Sequence, residues 1–575
     1  NITYAHKLYY EETLGRTRYK RMKKRWWLDK VAYQIYPKSF KDTNGDGIGD
    51  LRGIIEKLDY LKELGIDIIW ISPVYQSPFV DQGYDISDYY KIAEQFGTME
   101  DFDELLAEAK KRNMEIIMDL VINHTSDQHE WFQKALADPT GKYGDYYYFR
   151  KGVNGKVPSN YRSYFGGSTW EPVQGRDLYY LHAFAKEQPD LNWENPEVKK
   201  ELFDMVNWWL DKGIAGFRID AIINIKKHPE LPSYEPDGDD GLADFTTMIA
   251  DTEGVGELLE ELKTNTFDKY GAFTVGEVFN MQEDKLREFI GDEGHFSTMF
   301  DFSGEVLTKG GHGWYDSPKH DFKKWRDMVF KTQLKAQGIG YYANIIENHD
   351  EPRGASRYLP EGLRNPKGIK MLACVNLFLR GIPFIYQGQE IGMQNFTAAD
   401  ISEFDDINTK DEYRRAIDAG LNKAQALAVC NERSRDHART PMQWNNADNA
   451  GFTKGTPWLK VNKNYQEINV NKEEKDPESV LNFYKEAIRL RKSEAYKEVF
   501  ATGEIVPRFT EFDKVFAYER ILENKHILIA ANFGAEEVHL DQEWKEGTLL
   551  LSNSHFSNNR KEIKLSSGEA AIILL

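Results

Sequence analysis

Cysteine is almost absent from this sequence, which has only Cys374 and Cys430 in 575 residues. Two cysteines cannot form the dense disulfide framework of a small secreted protein, and they leave the redox compartment undetermined. Cys374 lies in the apolar run MLACVNLFL, which predicts a position in the core. Long apolar runs are also missing, since none approaches the roughly 20 residues that cross a bilayer. We therefore expect no membrane span.

Positive charge is in deficit, with 74 Lys and Arg against 93 Asp and Glu and a net charge of −19. Phosphate backbones bind basic surfaces, so we expect no nucleic-acid partner. The basic run RTRYKRMKKR (16–25) is an exception, and it predicts a solvated leader over residues 1–25. A membrane-surface or partner patch is the alternative interpretation.

A signal-peptide core is the third missing feature. Its absence favours a cytoplasmic location, and we expect a monomer. The sequence starts at Asn1 rather than Met, so removal of a leader is the alternative.

Short β-rich apolar runs alternate with amphipathic helical patterns along most of the chain. Strands are predicted at residues 31–37, 66–74, 114–123, 214–220, 273–278, 297–302, 341–348 and 383–388. Helices are predicted between several of them, at residues 51–65, 100–113 and 198–213. This alternation indicates an α/β fold with a parallel sheet, and eight repeats favour a closed (β/α)8 TIM barrel.

Two insertions interrupt this pattern. Residues 124–188 are rich in Tyr, Gly, Trp and Asn and predict a small inserted B domain after strand three. Residues 389–470 predict a polar subdomain after strand eight. The catalytic barrel then comprises residues 26–123 and 189–495, with a helix near 478–492. From EVFATGEIVPRF (498–509) onward the pattern is purely β, which predicts a C-terminal antiparallel β-sandwich over 496–575.

Charged side chains follow four predicted strands at the point where each strand ends. They are Asp119 and His124 after strand three, Arg218 and Asp220 at strand four, Glu277 at strand five, and His349 and Asp350 at strand seven. A single one would be an ordinary solvated rim group. Because barrel active sites lie at the carboxyl ends of the strands, their convergence predicts a catalytic site.

Two of these carboxyl groups suit different chemical roles. Side chains alternate along a strand, so Arg218 and Asp220 share a face, and the guanidinium is expected to lower the pKa of Asp220, as a nucleophile needs. Glu277 has neutral neighbours in GEV, and desolvation is expected to raise its pKa, as a proton donor needs. Adjacent strands about 4.8 Å apart can supply the separation of about 5–5.5 Å found in retaining glycosidases.

Four segments resemble the signature regions of the α-amylase family of glycoside hydrolases (family 13): DLVINH (119–124), GFRID (216–220), GEV (276–278) and ENHD (347–350). A fifth, QPDLN (188–192), resembles a region typical of the subgroup that contains oligo-1,6-glucosidases, α-glucosidases, trehalose-6-phosphate hydrolases and sucrose isomerases. The similarity extends from WWLDKVAYQIYPKSF (26–40) through SRDHARTPMQW (434–444) into the β-rich tail.

The resemblance implies a role for each catalytic residue. Asp220 would form a covalent glucosyl-enzyme, Glu277 would act as acid and then base, and Asp350 would hold the 2- and 3-hydroxyls of the sugar. It also implies a set of glucose-binding residues, namely His124 and His349 as hydrogen-bond donors, Arg218 as support for the nucleophile, Tyr84 as a stacking platform, and Phe165 and Phe184 as pocket aromatics. For the two phenylalanines, core packing is the alternative.

Residues matching Asp81 and Arg435 close the pocket in exo-acting members of this family by binding the terminal 4-hydroxyl. The resemblance therefore implies that the enzyme removes single glucose units. A surface salt bridge is the alternative.

The segment DTNGDGIGD (42–50) places oxygen ligands at alternating positions. They are Asp42, Asn44, Asp46, the carbonyl of Ile48, and Asp50. The spacing resembles the first part of an EF-hand loop but lacks its glutamate at position twelve. Subgroup members carry a similar loop that usually holds calcium. We predict a structural Ca²⁺, with Mg²⁺ as the alternative ion and a metal-free polar turn as the alternative structure.

Three positions bear on substrate preference. By resemblance, Ala221 after the nucleophile accompanies α-1,4 or broader activity, where Val accompanies α-1,6 preference. Phe279 resembles the sucrose isomerases, in which a second Phe completes a clamp, and Phe300 is the candidate partner. Asn408 stands where relatives usually carry Glu, which leaves acceptor specificity open.

The isomerases follow their second Phe with an Arg-rich string that this chain lacks. We therefore prefer a retaining exo-acting α-glucosidase that acts on maltose- or isomaltose-type oligosaccharides or sucrose, with transglucosylation as a side reaction. A sucrose isomerase or glucosyltransferase is the alternative. A catalytically silent transporter subunit is disfavoured by the complete catalytic set.

Overall fold

The computed structural model of the protein describes residues 25–279, 285–307, 312–317, 321–541, 547–554 and 562–575. The predicted leader (1–25) lies outside the described residues except for Arg25. Its guanidinium donates a hydrogen bond to the carbonyl of Gly291 at 2.5 Å. Among the helices of the described ranges, none has the length and apolar character needed to span a bilayer.

Eight parallel strands close into a barrel, as predicted. In chain order they are β1 (Ala32–Ile35), β2 (Ile68–Ile71), β3 (Glu115–Leu120), β4 (Gly216–Ile219), β5 (Phe273–Gly276), β6 (Thr298–Phe300), β7 (Tyr342–Asn344) and β8 (Gly381–Tyr386). Each strand pairs with the next in the chain, and β8 closes on β1 with Ala32 opposite Phe384. Most strands are shorter than predicted, since the chain leaves the sheet where the polar rim residues begin.

Helices occur between the barrel strands, in the segment inserted after β3 and in the part of the chain that follows β8. Those of six or more residues are α1 (Leu51–Glu56), α2 (Leu58–Leu64), α3 (Met99–Lys111), α4 (Glu130–Ala137), α5 (Pro196–Lys212), α6 (Phe245–Ala250), α7 (Val255–Asn265), α8 (Phe322–Ala336), α9 (Pro366–Leu377), α10 (Ile407–Asp418), α11 (Lys423–Arg433), α12 (Val480–Lys492) and α13 (Lys497–Thr502). Local sequence sets their ends. Thr98 and Asp101 form a capping box at α3, and α5 runs from the Asn195 cap to left-handed Gly213.

The segment after β3 has little regular structure. It contains α4 and a small antiparallel sheet of Phe149–Arg150, Tyr179–Leu181 and Trp170–Pro172. The chain returns to the barrel beside its point of departure, because His124 and Asp190 form an antiparallel bridge. The inserted segment therefore overhangs the carboxyl end of β3.

The C-terminal part contains two antiparallel sheets. The strands are β9 (Glu504–Arg508), β10 (Val515–Leu522), β11 (Lys525–Asn532), β12 (Val538–Leu540), β13 (Thr548–Ser552), β14 (Ile563–Leu565) and β15 (Ala570–Leu574). One sheet has the order β9-β10-β11-β15-β13, and β12 pairs with β14 in the other. Ala517, Leu528 and Ile573 of the large sheet pack with Leu540 and Leu565 of the small one.

The sequence-based prediction of a strand at 498–509 is wrong in its first half, because Lys497–Thr502 forms helix α13. Val499 and Phe500 are buried on that helix, and Phe500 packs against Phe378 with ring centroids 4.7 Å apart. Tertiary packing thus overrides the β propensity of this run.

A buried arginine fastens the large C-terminal sheet to the barrel. Arg520 is fully buried and donates hydrogen bonds to the carbonyls of Phe378 (2.8 Å), Phe500 (2.7 Å) and Gly503 (2.8 Å). These carbonyls lie at the carboxyl ends of α9 and α13, where helices leave acceptors unpaired and carry partial negative charge. One cation therefore satisfies acceptors from both parts of the chain.

The segment that follows β8 returns to the loop after β1. The hydroxyl of Ser39 donates to the carbonyl of Arg439 at 2.5 Å, and the amide of Met442 donates to the carbonyl of Ser39 at 2.8 Å. Farther along, the amide of Trp458 donates to the carbonyl of Gly47 at 3.1 Å. These contacts join the first and last strands of the barrel at the rim that carries the charged residues.

Candidate active site

Arg218 lies at the centre of an acidic cluster on the carboxyl rim of the barrel. Its Nη1 is 2.7 Å from Asp119 Oδ1 and 2.5 Å from Asp220 Oδ1, and its Nη2 is 2.6 Å from Glu277 Oε1. The guanidinium is 1% exposed. Strands β3, β4 and β5 are neighbours, and Arg218 pairs in register with Asp119. The structure thus brings together carboxyl groups that the sequence placed at three strand ends.

Glu277 is held by a second contact as well. Its Oε2 accepts a hydrogen bond of 2.8 Å from the amide of Ala221. Ala221 adopts a left-handed conformation with φ 41° and ψ 37°, and this turn directs its amide at the carboxyl group. Burial raises the pKa of Glu277 to about 7, with further contributions from Asp220 and Asp350. The group therefore suits proton donation near neutral pH.

The prediction of a lowered pKa for Asp220 is wrong. Burial raises its pKa to about 7, and the nearby charge of Arg218 only partly offsets that effect. The reason is that one guanidinium faces three carboxyl groups, and Asp119 itself raises the pKa of Asp220. The cluster therefore retains a proton near neutral pH instead of ionising completely.

Asp350 is in a different electrostatic environment. Its Oδ1 accepts from Arg435 and Arg439 at 3.0 Å each, and its Oδ2 is 3.0 Å from Nε2 of His349. Burial alone would raise its pKa, but the contacts with His349 and the two arginines hold that pKa well below its usual range. Burial also lowers the pKa of His349 to about 4, so this ring is neutral at pH 7. Asp350 is consequently expected to be ionised at neutral pH.

Tyr84 connects the two carboxyl clusters. Its hydroxyl is 2.9 Å from Asp119 Oδ2 and 2.6 Å from His349 Nε2, and its ring stacks on that of His349 at 5.2 Å and 7°. Gln34 approaches the other ring nitrogen of His349 at 2.8 Å. Donation from Gln34 to Nδ1 leaves the proton of His349 on Nε2, where it faces Asp350.

His124, a predicted sugar ligand, is buried against the inserted segment. Its Nε2 lies 3.0 Å from the carbonyl of Tyr84 and 3.1 Å from the amide nitrogen of Gln188. Gln188 also donates to Asp81 Oδ2 at 3.2 Å. The QPDLN motif thus contributes Gln188, whose contacts with His124 and Asp81 the sequence did not predict.

Arg435 lies near Asp81, as predicted, but their closest atoms are 3.7 Å apart. Its nearer partner is Asp406, whose Oδ1 accepts from Nη2 at 2.5 Å and from Nε at 3.1 Å. Neither Asp406 nor Arg439 was predicted from the sequence. Asp406 caps the start of α10, and Arg439 is four residues after Arg435, so a cap motif and helical spacing were the available signals.

An aromatic wall extends from Arg435 towards Glu277. The guanidinium carbon of Arg435 lies 5.3 Å from the ring of Phe165, which pairs with Phe184 at 5.7 Å. Phe184 packs against Tyr164 at 4.9 Å, and Tyr164 meets Phe279 at 5.8 Å and 89°. Tyr164 was not predicted from the sequence.

The proposed pairing of Phe300 with Phe279 is wrong. Phe300 is buried inside the barrel, with its ring 5.4 Å from both Trp70 and Phe384. In the ring contacts of the described residues, Phe279 pairs with Tyr164 instead. Phe300 therefore serves the core, and its side chain is not available to a sugar.

The predicted metal loop folds on its own carboxylates. Asp42 accepts from the amides of Gly45 and Gly47 at 2.7 and 2.8 Å, and Asp50 accepts from those of Thr43 and Gly53 at 2.8 and 2.7 Å. Asp42 and Asp50 are buried. Over the described part of the chain, no group of three or more acidic, histidine or cysteine side chains could by itself hold a metal ion.

A buried ion pair fixes the inserted segment over the site. Lys227 Nζ is 2.9 Å from Asp190 Oδ2 and 2.8 Å from Asn123 Oδ1, and both charged side chains are 0% exposed. Asp190 lies where the inserted segment returns, Asn123 follows β3, and Lys227 follows β4. This pair joins three segments at the carboxyl rim of the barrel.

Comparison with known proteins finds relatives over most of the chain. The profile of the family described as "Alpha amylase, catalytic domain" matches residues 34–499. The chain is 41% identical to an oligo-1,6-glucosidase of Parageobacillus thermoglucosidasius, covering 96% of this chain and 99% of that protein. It is 40% identical to a trehalose-6-phosphate hydrolase of Bacillus subtilis, covering 96% and 98%. The solved trehalulose synthase MutB of Pseudomonas mesoacidophila MX-45 is 39% identical with a TM-score of 0.91, covering 96% of this chain and 100% of that one.

Replacement of Lys227 should destabilise the protein strongly. Lys227→Met leaves Asp190 buried without a counter-charge, which costs about 3–5 kcal/mol. The matched control is Lys226→Met, because Lys226 pairs with the exposed Glu194 and such surface pairs contribute about 0–1 kcal/mol. Urea denaturation followed by circular dichroism measures both. Equal midpoints for the two variants would contradict the role of the buried pair.

Proposed function

Because the chain belongs to the α-amylase family of glycoside hydrolases, we propose that it is a retaining, exo-acting α-glucosidase that releases glucose from the non-reducing end of short α-glucosides. The observation that carries the proposal is the shared guanidinium of Arg218, which contacts Asp220 at 2.5 Å and Glu277 at 2.6 Å. Two carboxyl groups on one guanidinium suit the separation of about 5–5.5 Å that retention requires. In an inverting enzyme a water molecule attacks C1 of the substrate directly, and the two carboxyl groups must then lie farther apart.

The reaction proceeds in two displacements. Asp220 attacks C1 of the glucosyl unit, the C1–O bond breaks, and the proton of Glu277 passes to the departing oxygen. The carboxylate of Glu277 then takes a proton from water, and the resulting hydroxide attacks C1 and releases Asp220. As Glu277 gains and loses its proton, Arg218 stays in place and offsets the charge of whichever carboxylate is ionised.

The exo mode of action rests on the charged cluster at the closed end of the pocket. Arg435 lies among Asp406, Asp350 and Asp81, at 2.5, 3.0 and 3.7 Å. Charged groups that are held in place by these ion pairs can bind the terminal hydroxyls of a sugar. They leave no room for a longer sugar chain at this end. Single glucose units are therefore the expected product.

A sucrose isomerase is the second candidate, and Phe279 beside Tyr164 is the observation that favours it. An aromatic pair at the leaving-group side could retain fructose near the glucosyl-enzyme. Incubation with sucrose separates the two functions, because hydrolysis gives glucose and fructose, whereas isomerisation gives isomaltulose or trehalulose.

The anomeric configuration of the first product tests the proposed mechanism. We expect ¹H NMR of early α-glucosyl fluoride hydrolysis, in which the glucosyl unit is the sole source of glucose, to show α-glucose, with β-glucose appearing later by mutarotation. Asp220→Asn should fold and lose activity by several orders of magnitude, since the nucleophile supplies most of the covalent pathway. Release of β-glucose first, or an active Asp220→Asn variant, would exclude the two-step mechanism.

The pH dependence should reveal the role of Glu277. Its pKa is about 7, so kcat/KM for maltose should fall as the pH rises through 7 and the acid loses its proton. α-Glucosyl fluoride needs little proton assistance because fluoride is a good leaving group, and its alkaline decline should be weaker. Profiles between pH 5 and 9 compare the two substrates. The same alkaline limb for both would contradict the assignment of Glu277 as acid.

We also propose that the loop at 42–50 binds Ca²⁺ in a structural role. Asp42 and Asp50 are buried acids, and no ion pair of theirs with a basic side chain is found among the described residues. Asp46, Asn44 and the carbonyl of Ile48 would complete a set of hard oxygen ligands. This donor set fits the ion, and the carboxylates would exchange part of their present amide contacts for it.

Calcium should raise the thermal stability of the protein. The melting temperature is expected to rise with Ca²⁺ and to fall with EDTA, because a ligand that binds only the folded state stabilises it. Asp46→Ala removes an exposed ligand and should abolish most of the shift, whereas Asp448→Ala on a neighbouring loop should keep it. A shift that is absent in the wild type, or equal in Asp46→Ala, would contradict the site.

A further inference from the structure

Gln34 is a buried amide on strand β1 that reaches the imidazole ring of His349. Both side chains are almost completely buried, as is that of Ser72. Nε2 of Gln34 lies 2.8 Å from Nδ1 of His349 and 3.1 Å from Oγ of Ser72. Its Oε1 has no hydrogen-bond partner within the described ranges. The polar partners of this amide therefore lie on its nitrogen side.

These contacts determine which way the amide faces. With Nε2 towards the ring, its two N–H groups donate to Nδ1 of His349 and to Oγ of Ser72, and one carbonyl oxygen stays unpaired. The reversed amide would leave two buried N–H groups unpaired, and buried donors without acceptors are costly. The orientation with Nε2 towards His349 is therefore favoured, and Nδ1 accepts a hydrogen bond.

The other ring nitrogen of His349 then carries the proton and continues a series of donors. Nε2 is 2.6 Å from the hydroxyl of Tyr84. Burial, together with the nearby Asp119, holds the pKa of Tyr84 well above its usual range, so this hydroxyl keeps its proton and donates to Asp119 Oδ2 at 2.9 Å. Tyr36, whose pKa burial also raises, stacks on the ring of His349 at 6.1 Å. Both phenols beside the ring are consequently neutral.

The charges around His349 act in opposite directions. Burial lowers its pKa to about 4, Asp350 opposes this effect, and Arg218 and Arg439 add to it. Asp350 Oδ2 lies 3.0 Å from Nε2 and favours a second proton on the ring. That proton would have to bind Nδ1, because Nε2 already carries one. The N–H group of Gln34 occupies the space that it would need.

On the basis of the proposed α-glucosidase function, we propose that Gln34 is a positioning residue that excludes a proton from Nδ1 of His349 and so keeps the ring a neutral Nε2–H donor beside Asp350. A neutral ring leaves the negative charge of Asp350 to the hydroxyls of the bound glucosyl unit. A doubly protonated ring would form an ion pair with that carboxylate and compete with the sugar. Gln34 acts through His349 and takes no part in bond breaking.

The protonation of His349 can be measured directly in the substrate-free protein. In ¹⁵N NMR of protein labelled at the histidine ring nitrogens, its signals are those lost in His349→Asn. We expect a wild-type ring with the proton on Nε2 at pH 7. In Gln34→Met the pKa of the ring should rise by about 1–2 units, because no donor then faces the lone pair of Nδ1. A proton on Nδ1 of the neutral wild-type ring, or the same titration in Gln34→Met, would overturn the proposal.

The kinetic effect should depend on pH. Between pH 7 and pH 5, kcat/KM of Gln34→Met for α-glucosyl fluoride should fall about 2–10-fold relative to the wild type, which is the fraction of neutral rings that such a pKa shift removes. Loss of packing alone would give a ratio to the wild type that is the same at both pH values. A constant ratio would therefore contradict the proposed role of Gln34.

Two further variants complete the experiment. Gln333→Met removes another buried amide, whose Nε2 donates to Asn344 Oδ1 at 2.9 Å, and its kcat/KM relative to the wild type should not change with pH. Gln34→Asn withdraws the amide from Nδ1 by one methylene and should reproduce the shift if Gln34→Met does not fold. A wild type inactive on both maltose and α-glucosyl fluoride would refute the proposed function, whereas the NMR titration tests Gln34 without any substrate.

Discussion

A single buried guanidinium faces three carboxyl groups at the rim of the barrel, and the chemistry of the site depends on that imbalance. Arg218 contacts Asp119, Asp220 and Glu277 and has almost no contact with solvent. One positive charge cannot stabilise three buried negative charges, so the cluster keeps a proton that solvated carboxylates would lose. An ionised and a protonated carboxyl group can thus coexist within reach of one another, as the proposed nucleophile and proton donor require. The further contacts of each carboxyl group, such as that of Glu277 with the amide of Ala221, distinguish the proposed proton donor from the proposed nucleophile.

A second series of contacts connects Arg218 with Asp350 on the other side of the site. Asp119 binds Arg218 on one side and the hydroxyl of Tyr84 on the other, and Tyr84 leads through His349 to Asp350. Asp119 is fully buried and so has no direct access to substrate. The strand-three aspartate thereby helps to fix the relative positions of the carboxyl groups of Asp220, Glu277 and Asp350. Such preorganisation lowers the cost of stabilising charge that develops during reaction.

The sequence predicted the barrel and the rim residues because period-two and helical patterns are local, and a barrel collects strand ends at one rim. It did not predict the raised pKa of Asp220, because the pairwise rule ignores burial and the sharing of Arg218. The pairing predicted for Phe300 is wrong because the sequence does not show which residues of β6 point into the centre of the barrel. Asp406 could not be predicted as a partner of Arg435 because the two residues are 29 positions apart and lie on separate elements. The sequence of helix α13 predicts a strand instead, because tertiary packing decides the structure of such short apolar runs.

The hydrogen bond between Ser39 and Arg439 spans 400 positions of the chain, and it has a consequence for biosynthesis. Arg439 supports Asp350, so the pocket stays incomplete until this late segment has left the ribosome and reached the first strand. At about 5–20 residues per second, translation takes roughly 20–80 s to cover that distance. All eight barrel strands of a nascent chain are therefore synthesised before the chain can cleave a sugar. Activity therefore requires the segment after β8 to bind the loop after β1.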